Sequence, residues 1–458
     1  MGPDELAAKL LAATGLPAAR LTIGPGPARV DQWPFELKRP GACPPAVTVL
    51  PEAPGEVAAV VRFAAQSGVS TAVVGGRSNV VGAVERETAL VLDLSGLTRV
   101  VSLDVESQLV TVEAGITGAA LEEALAARGL TLGIYPQSLA LATVGGWVAT
   151  RATGTASAQY GGIERALCGA TVVTPSGELL ELPARVRPAG GLDALQLYCG
   201  SEGSLGVLVE LTLSVHRTCP DSPLCAAFED FAAGLACQRE LLQRELPVSV
   251  VRLYNPAETR SLTGGSYGLA RRCLLLVTVA GPGRYAEAGI ADTLEAIEYA
   301  GGEPVDPVAG ERWFTHRYAD ADLMAGRNEG AGTVFDTIEV SVPWRSAAAL
   351  AAAIESEIAP LCAQLFLHSS HAYRSGTCLY VMLFIQEATD ADALARCREA
   401  WERTLILTER HAGAIGHHHG IGEVRRERYG ASVDGRLHRL VKRALDPDGI
   451  LRAPLVRD

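Results

Sequence analysis

Residues 136–164 read PQSLALATVGGWVATRATGTASAQYGGIE, and this stretch decides the fold. It gathers Thr143, Gly145, Gly146, Thr150, Thr153, Gly154 and Thr155, with Tyr160, Gly161 and Gly162 close behind. Glycine lets main chain approach a partner that a Cβ would hold off, and threonine supplies short donors and acceptors. Such density suits backbone lying flat against a planar ligand, with hydroxyls aimed at its polar edges. It equally suits a loop-rich run of ordinary turns, so the neighbouring stretches must decide.

Upstream, Val57, Val60, Val61 and Ala64 recur at helical spacing, Gly68 stops the helix, and VSTAVV (69–74) reads as a buried strand. That strand runs into VVGGRSNVVGA (73–83). Glycines after a buried strand can turn N–H groups toward an anion, and Ser78 and Asn79 can add side-chain donors. The glycine pair alone is as well explained by a plain strand–turn. No G-x-G-x-x-G opens a helix here, so the Rossmann fingerprint is absent. Strands LVLDL (90–94) and LVTVEAG (109–115) follow, and Thr117 caps a helix through Ala127. ATVVTPSGELLEL (170–182) reads as a hairpin, and CGSEGSLGVLVE (199–210) again joins glycines and hydroxyls ahead of a strand.

From Cys219 the pattern changes to helices at 231–245, 285–302, 346–364 and 390–413. VSVVRLY, RCLLLVTVAG (272–281), VFDTIEVSVPW and CLYVMLFIQ (378–386) alternate with them as strands. This is the pattern of an α+β sheet with helices on one face, suited to a cap over a binding site. With 458 residues, about three times a typical domain, the chain divides into an N-terminal segment 1–42, a ligand domain 43–217, a cap 218–413 and a returning segment 414–458.

The formal charge of −12 argues against nucleic acid and anionic membrane surfaces as partners, leaving a small-molecule substrate. None of the ten cysteines forms a CxxC pair, which excludes zinc-ribbon and thioredoxin-like readings and suits free thiols in a reducing compartment. The N-terminus MGPDELAAKLLAATG has no basic n-region leading to an apolar core, and no apolar run approaches the ~20 residues of a membrane span. A cytoplasmic location is expected.

A further segment, GHHHGIG (416–422), sets three imidazoles side by side. If extended, it places His417 and His419 on one face and His418 on the other. Together with the stretches above and ALDPDGIL (444–451), it carries a resemblance. The chain resembles the vanillyl-alcohol-oxidase (PCMH-type) superfamily of FAD proteins, and within it the alkyl-dihydroxyacetonephosphate synthase family, from about residue 40 to 452. The resemblance implies an α+β fold: a two-part PCMH-type FAD-binding domain under an α+β cap. It implies that Gly75, Gly76, Arg77, Ser78 and Asn79 surround the FAD pyrophosphate. Pro136, Ser138, Thr143, Gly145, Gly146, Thr150, Ala152 and Gly154 would line the isoalloxazine and ribityl side, with Glu202 and Gly206 near the adenosine half. Arg77 departs from a loop that usually reads Gly-Gly-Gly. Relatives that tether FAD do so through a histidine in this loop, which this chain lacks, so FAD is expected to be non-covalent.

The resemblance also assigns proton transfer to Tyr380, His417, His418 and His419. Metal-dependent D-2-hydroxyacid dehydrogenases of the superfamily resemble GHxGDGNxH with a later Glu-His-Gly. Here the first motif has become His371-Ala-Tyr-Arg-Ser-Gly-Thr-Cys-Leu-Tyr380, and His418 replaces the glutamate. Two of the expected ligands are missing, so no metal is expected. For a substrate anion, Arg327 fits the family position across a two-residue gap, with Arg317 and Arg374 as competitors.

Two enzyme readings stay open. One is oxidation of a small hydroxyl- or amine-bearing substrate by hydride transfer to flavin. The other is a non-redox exchange as in the synthase family, where flavin holds the dihydroxyacetone-phosphate carbon while a fatty acid leaves and a fatty alcohol enters. A chain with no obvious apolar hairpin for a long-chain tunnel leans to the first. An inactive flavin-binding protein is opposed by the retained tyrosine and histidines. A homodimer is what the family suggests.

Overall fold

Pro54 opens a helix that runs to Ser67, and Gly68 ends it in the left-handed region at φ 60°. Its buried side chains are Val57, Ala58, Val60, Val61, Phe63 and Ala64, which include the apolar stripe read from the sequence. In the computed structural model, which describes residues 1–25, 33–38, 45–85, 88–308, 313, 315, 328 and 330–456, this helix shares one core with the first of three main sheets. That sheet orders Leu21–Pro25, Pro45–Val49, Leu90–Asp93, Thr71–Val74 and Leu451–Arg452. Leu451–Arg452 pairs in parallel with Thr71–Val74, so the chain's last strand closes beside the strand that feeds the first glycine loop.

The second sheet is antiparallel and orders Val100–Asp104, Leu109–Glu113, Val207–Ser214, Leu167–Val173 and Leu179–Leu182. The 170–182 hairpin is present, turning through Gly177 at φ 82°. The 136–164 stretch is not simply flat main chain. Thr143 caps a short helix, Val144–Thr150, by accepting from Gly146 N at 3.2 Å. Hydroxyl capping wins locally because it satisfies a helix N–H that a loop would leave to solvent.

The third sheet has seven strands: Glu303–Val305, Asp221–Phe228, Cys273–Ala280, Val248–Tyr254, Gln364–Ala372, Gly376–Gln386 and Thr333–Pro343. Helices Phe231–Gln243, Gly283–Tyr299, Trp344–Glu357 and Asp390–Arg410 cover one face, as the sequence pattern predicts. The period of two then sorts the chemistry. Leu379, Val381, Leu383 and Ile385 enter the core under the helices, while Tyr380, Met382 and Phe384 face a cavity on the other side. Strand register sets Tyr254 opposite His368, His368 opposite Tyr380, and Tyr380 opposite Glu339, a polar row across the sheet. No helix among the described residues is long and apolar enough to cross a membrane.

Candidate active site

One cavity of about 880 Å³ lies between the two smaller sheets and the cavity face of the large one. Gly75, Gly76, Arg77, Ser78, Asn79, Pro136, Ser138, Thr143, Gly145, Gly146, Thr150, Ala152, Glu202 and Gly206 all line it. Tyr380, His418 and His419 line it from the large sheet and the C-terminal loop. Gly154 does not. A Cβ there would meet Tyr135 N at 2.0 Å, so the glycine serves packing between chain segments. Arg317 and Arg327 lie outside the described residues. Arg374 is an exposed side chain paired with Glu245 at the surface, which removes it from the cavity.

The first glycine loop is pressed against the 136–155 stretch: a Cβ on Gly76 would meet Leu141 O at 1.9 Å. Arg77 adopts φ 57°, the left-handed region that explains why glycine is the ordinary residue at this place. Its guanidinium donates to Asp93 at 2.6 Å rather than standing free for phosphate. Asn79 is likewise committed. Its Oδ1 accepts from Val81 N (2.9 Å) and Ala83 N (3.1 Å), and its Nδ2 donates to His419 O at 3.2 Å. What remains for an anion is the Ser78 hydroxyl and main chain. Among the described residues, the N–H groups of Gly76, Arg77, Ser78 and Asn79 have no protein acceptor. Four unsatisfied donors at the end of a buried strand, with a left-handed residue among them, fit a pyrophosphate.

The histidine loop is not extended. Glu339, fully buried on the strand Thr333–Pro343, accepts with Oε1 from the N–H groups of His417 (3.1 Å), His418 (3.1 Å) and His419 (2.9 Å). Three successive amides on one oxygen curl the chain, so His418 and His419 reach the cavity while His417 donates or accepts at Tyr373 Oη, 2.9 Å away. Arg425 pairs with Glu339 and also donates to Ile415 O (2.6 Å) and Gly420 O (2.7 Å). Burial opposes charge on Glu339, but Arg425, then His419, hold its carboxyl well below the usual range. From the other side Glu202, which lines the cavity, accepts from Ile421 N (2.5 Å) and Gly422 N (3.1 Å) and so clamps the loop. Burial lifts Glu202 to about 7, against the pull of those two amides and Arg425.

Burial lowers His417 to about 4 and holds His418 and His371 well below the ordinary imidazole value. These rings are neutral at pH 7. Burial likewise raises the Tyr380 phenol, which keeps its proton. Tyr380 stacks on His368 at 4.8 Å and meets His419 edge-on at 5.7 Å.

Sequence reasoning passed over Arg252. Only 6 % exposed, it lines the cavity from the strand Val248–Tyr254. Its Nε donates to Tyr254 Oη at 2.8 Å and its Nη2 to His368 Nε2 at 3.1 Å. His368 Nδ1 sits 3.0 Å from both oxygens of Glu258, which fixes the tautomer that lets Nε2 accept. Trp313 lies under the guanidinium at 5.1 Å. Among the described residues no carboxylate pairs directly with Arg252. The signal was legible, since an arginine in the apolar run VSVVRLY is a charge in a strand that must be buried.

Two family descriptions match the chain: an FAD binding domain over residues 45–183, and the C-terminal domain of FAD linked oxidases over residues 223–453. The chain belongs to the FAD-linked oxidase family. It is a flavoprotein with an N-terminal FAD-binding domain and a C-terminal oxidase domain, and its fold matches PCMH/VAO-type structures. The alkyldihydroxyacetonephosphate synthase of Dictyostelium discoideum is 26 % identical over 445 residues, covering 89 % of this chain and 72 % of the relative. The D-2-hydroxyglutarate dehydrogenase of Xanthomonas citri pv. viticola is 36 % identical over 212 residues, 45 % of this chain and 44 % of that one. Among solved structures, substrate-bound p-cresol methylhydroxylase superposes with a TM-score of 0.78 at 14 % identity, over 98 % of this chain and 95 % of that one.

Proposed function

We propose that this FAD-linked oxidase oxidises a small anionic substrate at a carbon bearing a hydroxyl or amine. The observation that carries the reading is Arg252, a buried cation without a carboxylate partner among the described residues, in the same cavity as Tyr380 and His419. FAD, when bound, supplies the two-electron acceptor. It is held non-covalently through the main chain of Gly76–Asn79. The guanidinium of Arg252, anchored by Tyr254 and His368, receives a carboxylate or phosphate and sets the substrate's orientation. His419 takes the proton leaving the hydroxyl at Nε2. Its Nδ1 faces Glu339 Oε2 at 3.5 Å. Tyr380 stays protonated and donates to the substrate oxygen. Aromatic and apolar side chains, among them Phe366, Met382 and Phe384, exclude water from the reacting carbon.

A second reading is a non-redox exchange of the synthase kind, favoured by the joint presence of Tyr380 and three adjacent histidines and by the synthase relative. Anaerobic addition of a panel of 2-hydroxy acids and phosphorylated alcohols separates the two. Bleaching of the oxidised-flavin band by a panel member, lost in Arg252→Met, supports oxidation. Exchange of acyl for alkyl groups without net flavin reduction sinks it.

A further inference from the structure

Two buried hydroxyls face the cavity with nothing to bond. Ser370 is 1 % exposed and Thr155 5 %, and both line the cavity. Neither Ser370 Oγ nor Thr155 Oγ1 has a hydrogen-bond partner among the described residues. We propose that these hydroxyls complete the anion site of Arg252, donating to the carboxylate or phosphate group that its guanidinium pairs with. The assignment rests on the anion role given to Arg252 above and adds the neutral donors that select for it.

Burial is the first ground. A hydroxyl shut away from water without a partner loses its hydration for no return, so such groups are few in folded proteins. The adjacent serine shows that the fold can satisfy one here. Ser369 Oγ donates to Gln238 Oε1 at 2.6 Å and lies 2.6 Å from Thr377 Oγ1. Ser370, one residue on, turns to the opposite face and into the cavity.

Backbone geometry is the second. Against the strand Gly376–Gln386, Ser369 stands opposite Leu379 and His371 opposite Cys378, so Ser370 is the extra residue of a β-bulge. A bulge re-aims a side chain at the cost of regular pairing, and bulges gather beside binding sites. On the other edge of the strand, Leu253 pairs with Ser369 and Tyr254 with His368. Continuing that register sets Ser370 across from Arg252.

Thr155 arrives from the FAD-binding domain. Its N–H donates to Tyr135 O at 3.1 Å, and the close packing of Gly154 on Tyr135 fixes the segment. Two residues later Ser157 Oγ and His371 Nδ1 are bonded at 2.9 Å, which ties this segment to the residue beside Ser370. The two hydroxyls thus come to the Arg252 end of the cavity from different domains.

Donor supply is the third. Arg252 spends Nε on Tyr254 and one proton of Nη2 on His368, which leaves the other Nη2 proton and both of Nη1. A carboxylate offers about four lone-pair sites and a phosphate more, so the guanidinium alone leaves acceptors unmet in a site closed to water. Among the described residues the cavity's other arginine, Arg77, is already paired with Asp93. The hydroxyls supply the missing donors without a second charge.

The test uses the flavin-loaded protein and two inert probes, pyruvate for a carboxylate and inorganic phosphate, titrated by calorimetry at constant ionic strength. Wild type should bind one of them, which names the anion. Ser370→Ala and Thr155→Val should each weaken that probe by about tenfold or more, while Ser370→Thr and Thr155→Ser keep most of the affinity. FAD content and the anion-free flavin spectrum should match wild type throughout. Ser370→Ala and Thr155→Val that bind as wild type does, while Arg252→Met loses the probe, overturn the hydroxyl assignment and leave the anion reading standing. Lost FAD or a shifted flavin spectrum with unchanged anion affinity gives the hydroxyls to the flavin and overturns it equally. Full affinity in Arg252→Met, or wild type that takes up neither probe, sinks the underlying reading as well.

Discussion

Replacing Glu339 by glutamine should destabilise the protein far more than one lost contact suggests. Both Glu339 and Arg425 have side chains 0 % exposed, so no solvent screens the pair. Removing one partner of a buried pair strands the other charge and costs about 3–5 kcal/mol. Glutamine keeps an oxygen for the N–H groups of His417, His418 and His419, so the change isolates the charge. Alanine also orphans those three donors, each worth about 1–3 kcal/mol where water is excluded. The sum then rivals a total stability of about 5–15 kcal/mol, so Glu339→Ala should fail to accumulate as folded flavoprotein. Arg425→Met alone should cost as much as Glu339→Gln. The double variant should cost less than the sum by about 0.5–3 kcal/mol, because neither charge is left stranded. Urea unfolding read by tryptophan fluorescence suits the measurement, since Arg425 lies 4.9 Å from the Trp401 ring. The carboxyl is depressed in the fold, so its contribution is complete above the unfolded value of about 4.3 and is lost only as pH falls below it. The gap between wild type and Glu339→Gln should therefore stay constant from pH 8 to 5 and narrow under more acid conditions. A glutamine variant within 1 kcal/mol of wild type, or strictly additive single effects, would refute the argument.

Glu202 carries the opposite sign. Raised by burial to about 7, it keeps its proton in the fold where the unfolded chain has lost it, so stability should fall as pH rises from about 4.3 to 7. Thermal midpoints of wild type should decline across that window relative to Glu202→Gln, and parallel curves would remove the effect. Gly76→Ala drives a Cβ into Leu141 O and should cut FAD retained after gel filtration at least tenfold; full retention would show the loop can yield. Arg252→Met should lower kcat/KM for an anionic substrate by about 2 kcal/mol or more, roughly thirtyfold, with FAD content unchanged. Equal effects on an uncharged analogue would deny it the anion. Acid denaturation should free all flavin from the polypeptide, and fluorescence that stays with the chain would establish a covalent bond.

Much of this protein was written locally. The helix Pro54–Ser67, the hairpin at Gly177 and the helices over the large sheet all follow from periodicity and punctuation, which depend on neighbours a few residues apart. Fourteen of the fifteen proposed flavin contacts line one cavity, where the order of the three glycine- and hydroxyl-rich stretches, not any one of them alone, carried the reading. Gly154 does not line it, since close backbone packing and ligand contact select the same residue. Asn79 and Glu202 show a second limit. Their composition marks a polar site, yet their bonds run to the histidine loop more than 200 residues away. The sequence left that loop's conformation open, and a carboxylate 78 residues upstream curls it. The sequence by itself determined the cofactor class and which strands alternate. Only the tertiary structure decided that Tyr254, His368, Tyr380 and Glu339 share one row, and that Arg252 lines the cavity. Strand order and register are set by burial summed over the whole sheet, a quantity no short window of sequence contains.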